Sequence, residues 1–268
     1  GKSGDEQQKA AAIAALVGNG ADAHAVLETA KALFRCVRVS RLEPADLADS
    51  GLKSPRAEPS EVAPSTSAED LAKKTEAAKP GEVDAFFSHS WRDEETAPGK
   101  KFEALAAWAA KQGGDPTIWL DKACIVQSNV DQGLMCLPVF LASCKGMLCV
   151  AGESYTKRLW CVVEVSPPHR LCARLLTLTH PCPLQVFTFL QMGGAVSNIT
   201  VVPIGAERAS VEAVKESFRA FRGEEAECFL AADRHKLLGV IEASFGDFRE
   251  FDRLVRNVFF WRQKAEDH

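Results

Sequence analysis

From about residue 82 onward, short apolar runs alternate with longer stretches whose apolar residues recur every three or four positions. VDAFFS, PTIWL, KGMLCVAG, LQVFTF and ITVVPI have the length and composition of strands. KKFEALAAWAAKQGG has helical spacing, with Phe102, Leu105 and Ala109 on one side and glycines to end it. SYTKRLWCVVEV reads as a helix with Ser154 as N-cap, stopped by Pro167 and Pro168. Three more helical segments follow. SVEAVKESFRAFRG puts Val211, Val214, Phe218 and Phe221 on one stripe, and DRHKLLGVIEASFG comes next. DFREFDRLVRNVFFWR opens with Asp247 and Glu250 in capping-box positions and aligns Phe248, Phe251, Val255 and Val258. Strands alternating with helices predict an α/β fold, a parallel sheet with helices on both faces.

Before residue 82 the pattern differs. DAHAVLETAKALFRCVRV has apolar positions at Val26, Ala30, Leu33, Phe34 and Val37, a helical spacing, with Asp22 as N-cap. The stretch from Lys53 to Pro80 has four prolines and no aromatic residue; its large aliphatics are Val62 and Leu71. Such a stretch buries too little surface to offset its ordering entropy and reads as a flexible linker. The expected organisation is a helical N-terminal extension (1–52), a linker (53–81) and an α/β domain with C-terminal helices (82–268).

Composition narrows the chemistry. The formal net charge is −4 and the pI about 5.9, which recruits neither nucleic acid nor an anionic membrane. The longest apolar runs, such as LMCLPVFLASC, are too short and interrupted to span a bilayer. Nine cysteines, an odd number, lie mostly in apolar runs without C-x-x-C spacing. That is the usage of reduced, buried thiols, and it points to the cytoplasm. His169, Cys172, His180 and Cys182 are zinc-ligand types, but their spacing fits no common finger, so no metal is expected. GNGADA at Gly18 has glycine-motif spacing but follows a helical stretch, not a strand, so it is not read as a nucleotide site.

Ligands of open parallel sheets sit outside the carboxyl ends of the strands. Ser88, His89, Ser90 and Trp91 follow the first expected strand, and Asp121 and Lys122 the second. Serines capping a strand end beside a packed tryptophan are the structural alternative. Glu164 is the lone acid of RLWCVVEV, read either as a solvated glutamate on an exposed helix face or as a group of the site. On a helix it shares a face with Trp160, four residues back, and borders Cys161. An indole beside a carboxylate suits a flat, cationic ring.

VDAFFSHSWRDEE, TIWLDKACI and CKGMLCVAGESYTKRLWCVVEV resemble, in order, the boxes of the TIR (Toll/interleukin-1 receptor) domain over roughly Val83 to Ile204. The first is similar to the strand-A box, with Ser88, Asp93 and Glu94. In the second, Asp121 stands where the BB loop opens. The third carries W-C-x-x-E at Trp160, Cys161 and Glu164. LDKACIVQ is also similar to a segment of fungal HET incompatibility domains. The TIR resemblance implies a flavodoxin-like fold and homotypic self-association. It implies NAD⁺ glycohydrolase activity, with NAD⁺ as substrate rather than cofactor. Glu164 is then catalytic, and Ser88, His89, Trp91, Arg92, Asp121, Trp160 and Cys161 are the substrate-binding candidates. The segment DKACIVQSNVDQG lacks the usual Arg-Asp-x-x-Pro-Gly type of BB loop, and many TIR domains are non-catalytic adaptors, so a scaffold module is the alternative.

Overall fold

The computed structural model describes residues 22–48, 65–156, 158–160, 185, 189–190, 194–225, 227–228, 242 and 247–260. Helix α1 (Ala23–Leu33) is capped by Asp22, whose carboxylate accepts from the backbone N–H groups of His24 and Ala25. Strand β1 (Arg35–Arg38) follows at once. Helix α2 (Ala68–Lys73) leads into β2 (Thr75–Ala77), and β3 (Ala85–His89) comes next. The short α3 (Asp93–Thr96), α4 (Lys100–Gln112), β4 (Thr117–Trp119) and α5 (Asp121–Cys124) continue the alternation. Helices α6 (Val130–Met135) and α7 (Leu137–Ser143) return the chain to β5 (Gly146–Ala151). Then come β6 (Arg158–Trp160), β7 (Ile199–Pro203), α8 (Arg208–Arg219), β8 (Glu227–Cys228) and α9 (Phe248–Phe260).

Six strands form one sheet in the order β2-β1-β4-β3-β5-β7, and β6 and β8 form a separate parallel pair. The four strands β4, β3, β5 and β7 are mutually parallel, while β1 runs antiparallel to both its neighbours. The crossover through α4 steps from β3 to β4; the one through α6 and α7 steps back past β3 to β5. Right-handed crossovers in opposite directions place these helices on opposite faces. The reversal of direction puts a topological switch point at the carboxyl ends of β3 and β5. Every residue of β3 is buried, as a central strand covered on both faces requires. A row of rings runs beside it: Phe86 stacks on Trp119 (4.6 Å), Trp119 meets Phe140 (5.5 Å), and Phe140 stacks on Phe34 (5.8 Å). Among the described residues, no helix is long and apolar enough to cross a membrane.

Four expectations need correction. The first helix ends at Leu33, and RCVR is strand; Val37 lies opposite Thr75 on one side and Ile118 on the other. Tertiary pairing here overrides a helical spacing. Second, β1 and β2 belong to the same sheet as β3, so residues 35–38 of the expected extension and 75–77 of the expected linker are part of the α/β unit; residues 1–21 and 49–64 lie outside the described residues. Within the expected linker, Leu71 is fully buried and Glu76 pairs with Arg38 at 2.9 Å. A short, charged edge strand has linker-like composition, because an edge tolerates polar residues. Third, the helix expected from Ser154 is absent as far as Trp160: residues 153–156 are turn and Arg158–Trp160 is strand. Fourth, in LQVFTF the described residues Gln185 and Phe189 are helical, not extended. The segment DRHKLLGVIEASFG lies almost wholly outside the described residues.

Candidate functional site

Three strand exits converge at the carboxyl end of the sheet. From β3 come Ser88, His89, Ser90 and Trp91, all buried. Ser88 Oγ and Tyr155 Oη share a hydrogen bond of 2.8 Å, and both also bond the Cys149 thiol, which burial pushes up to about 12. Such a thiol is inert at neutral pH. Cys36, Cys124, Cys136 and Cys144 are likewise buried and in no disulfide.

Asp93 closes the switch point. Its fully buried carboxylate accepts the backbone N–H of Gly152 at 2.8 Å and that of Ser154 at 2.9 Å. Beside it, Ser90 Oγ and Ser154 Oγ lie 2.6 Å apart. The exit of β3 is thus bound to the exit of β5 by charge-assisted bonds. The approach leaves no room at Gly152, where an added Cβ would lie 2.7 Å from Asp93 Cβ. Gly152→Ala is therefore expected to cost about 1–3 kcal/mol, read as a lowered urea midpoint at unchanged m-value.

On the β4 side, Trp91 Nε1 donates to Asp121 Oδ2 at 3.2 Å, and Lys122 N donates to Asp121 Oδ1 at 2.7 Å. Lys101, fully buried, lies 4.7 Å from the Trp91 ring centroid and 3.4 Å from Glu94 Oε2. Lys122 lies 5.6 Å from the same centroid, and the His89 ring meets the indole edge-on at 4.3 Å. Burial pushes the Asp121 carboxyl up to about 6, against the opposing pull of its hydrogen bonds and the lysines. Burial likewise lowers Lys101, with Glu94 opposing.

Of the residues singled out by sequence, the fold brings together Ser88, His89, Trp91 and Asp121. Arg92 is adjacent in sequence but exposed. Trp160 lies in β6, outside the main sheet. Cys161, Glu164 and the His169, Cys172, His180, Cys182 group lie outside the described residues. Lys101 and Lys122 lie over the Trp91 ring and His89 packs against it at right angles, so in this arrangement the indole is already engaged by the chain's own side chains. Sequence reading did not select Lys101 or Tyr155. For Lys101 a signal existed: it shares a helical stripe with Ala104, Leu105 and Trp108, the buried face of α4. A lysine on an apolar stripe needs partners.

A separate cleft of roughly 440 Å³ is lined by Arg222, Arg249, Asp252, Arg253, Arg256 and Asn257. Its arginines are locally engaged. Arg222 pairs with Glu225, Arg249 with Asp247 and Arg253 with Glu250, while Arg256 donates to the Phe221 carbonyl. Its positive charge is balanced at its own rim.

No protein-family model, curated protein or solved structure matches the chain.

Proposed function

We propose that this chain is a TIR-type NAD⁺ glycohydrolase of the cytoplasm that cleaves the nicotinamide–ribose bond on self-association, in signalling or defence. One observation carries the reading. The strand portions of the segments that resemble the TIR boxes fall on β3, on its neighbour β4, and on its other neighbour β5, so their exits lie side by side at the switch point. Counted from β3, the parallel strands take the order 2-1-3-4, which supports a flavodoxin-like arrangement.

The chemistry asks little of the protein. Breaking the bond leaves positive charge on the ribose, and a carboxylate from Glu164 stabilises it. Nicotinamide is cationic while bound and departs neutral, so no general acid is needed. Water adds to the ribose carbon and releases a proton. In this reading Asp121, at the β4 exit, accepts hydrogen bonds from ribose hydroxyls. The expected result is nicotinamide release at high protein concentration, reduced at least about 100-fold in Glu164→Ala. Chromatographic separation of nicotinamide from NAD⁺ reads it. Full turnover in a folded Glu164→Ala protein overturns the assignment.

A second reading, a TIR-like scaffold without catalysis, is favoured by the filling of the switch point with the chain's own side chains. It predicts concentration-dependent oligomers, seen by light scattering, that NAD⁺ neither promotes nor disperses.

A further inference from the structure

The cleft beside α9 shares no lining residue with the carboxyl end of the sheet. Four of its six lining side chains are arginines, in a chain whose formal net charge is −4. We propose that this cleft is a binding site for a small soluble anion carrying two or more linked phosphates, held by Arg222, Arg249, Arg253 and Arg256.

The fold assembles the cleft from two elements. Arg222 follows α8, and Arg249, Arg253 and Arg256 stand on α9, which packs against α8. On a helix, residues three and four apart are neighbours, so the three arginines form one row. The opposite face carries Phe251, Val255 and Val258 into the core, which turns the row outward. Asp252, the one acid in the lining, is directed to the backbone: its Oδ1 accepts the Gly223 N–H at 2.7 Å. Arg256 is held in place by the Phe221 carbonyl, to which its Nε donates at 3.0 Å. The other three arginines are exposed.

Arginine meets phosphate through two parallel N–H···O bonds. From Arg249 to Arg256 the row covers about 10 Å of helix. A single phosphate engages one or two of these guanidiniums, whereas linked phosphates engage them in succession. The volume, roughly 440 Å³, lies within the range of about 300–1,000 Å³ common for small-ligand sites. The acids at the rim compete for the arginines but do not seal them. Glu225, Asp247 and Glu250 pair with Arg222, Arg249 and Arg253, and every side chain in these pairs is at least 41% exposed. Exposed pairs of this kind contribute little, so a bidentate phosphate displaces the carboxylate.

The test is isothermal titration calorimetry of the full chain with inorganic tripolyphosphate in metal-free buffer, with orthophosphate as the comparator. Tripolyphosphate should bind one to one, at least about tenfold more tightly than orthophosphate. Arg249→Gln/Arg253→Gln removes two exposed side chains, so it should melt where the wild type melts and bind at least about tenfold more weakly. Glu225→Gln/Glu250→Gln removes competing acids and should bind severalfold more tightly. Arg208→Gln, at the far end of α8 from Arg222, should stay within about twofold of the wild type. No binding at millimolar tripolyphosphate overturns the site. Binding that survives Arg249→Gln/Arg253→Gln, or that falls as far in Arg208→Gln, is attraction to surface charge at large and overturns it too. Orthophosphate bound as tightly as tripolyphosphate overturns the linked-phosphate class, and an affinity unmoved by Glu225→Gln/Glu250→Gln overturns the exchange of rim acids for phosphate.

Discussion

Asp93→Ala should lower stability by about 2–5 kcal/mol, because it leaves the backbone N–H groups of Gly152 and Ser154 without their acceptor in a buried setting. Each orphaned donor costs about 1–3 kcal/mol. Alanine also leaves unfilled the space that the carboxylate occupies. Asp93→Asn should fall between wild type and alanine, since its amide keeps one acceptor oxygen and must turn donors toward the other N–H. Chemical denaturation gives the free energies, and amide exchange gives the location. The Gly152 and Ser154 amides should exchange faster in both variants, with β7 little changed in Asp93→Asn. Wild-type stability in Asp93→Ala would mean that the β3 and β5 exits are held together by something other than this carboxylate.

Val37→Asp should be the other severe change. Val37 is fully buried in β1, opposite Thr75 on β2 and Ile118 on β4. An aspartate there must be buried without a partner or must pull the strand out of the sheet, at a cost of several kcal/mol in either case. The tryptophans make the outcome easy to read. All five, from Trp91 to Trp261, follow β2 in sequence. A separate extension would lose its own structure and leave the tryptophan melting curve in place. A strand integral to the sheet moves that curve down by ten degrees or more, at roughly 2–4 °C for each kcal/mol. The structure leads to the second result.

What could be read from the chain depended on how locally each feature is encoded. The strands β3, β4 and β5 are continuous apolar runs because parallel strands inside a sheet are covered on both faces, and such runs stand out. The helices α8 and α9 carry their stripes openly, with Val214, Phe218, Phe251, Val255 and Val258 buried as the spacing predicts. By contrast, β1 and β2 exist through each other and through β4. Arg35–Arg38 continues a helical spacing, and Thr75–Ala77 has no apolar pattern at all. The same distinction divides the site. That Ser88, His89, Trp91 and Asp121 stand at strand exits follows from counting along the chain. That three of the four are buried does not, since it depends on Asp93 reaching Gly152 and on two lysines folding over an indole. Spacing alone puts Trp160 and Glu164 on one helical face, whereas Trp160 lies in a strand paired with β8 and Glu164 lies outside the described residues.

The antiparallel position of β1 has a consequence for biosynthesis. Its partner residues Ile118 and Thr117 leave the ribosome long after Val37 and Arg38 do, so β1 must wait unpaired while β3 and α4 are made. Until it docks, β4 is a bare margin bearing Ile118 and Trp119, ready to accept a strand from another chain. Expression of the region from residue 82 alone should therefore yield inclusion bodies or strand-exchanged assemblies where the longer chain is well behaved. Supplying residues 22–48 and 65–81 in trans should act on that margin as an intramolecular chaperone would.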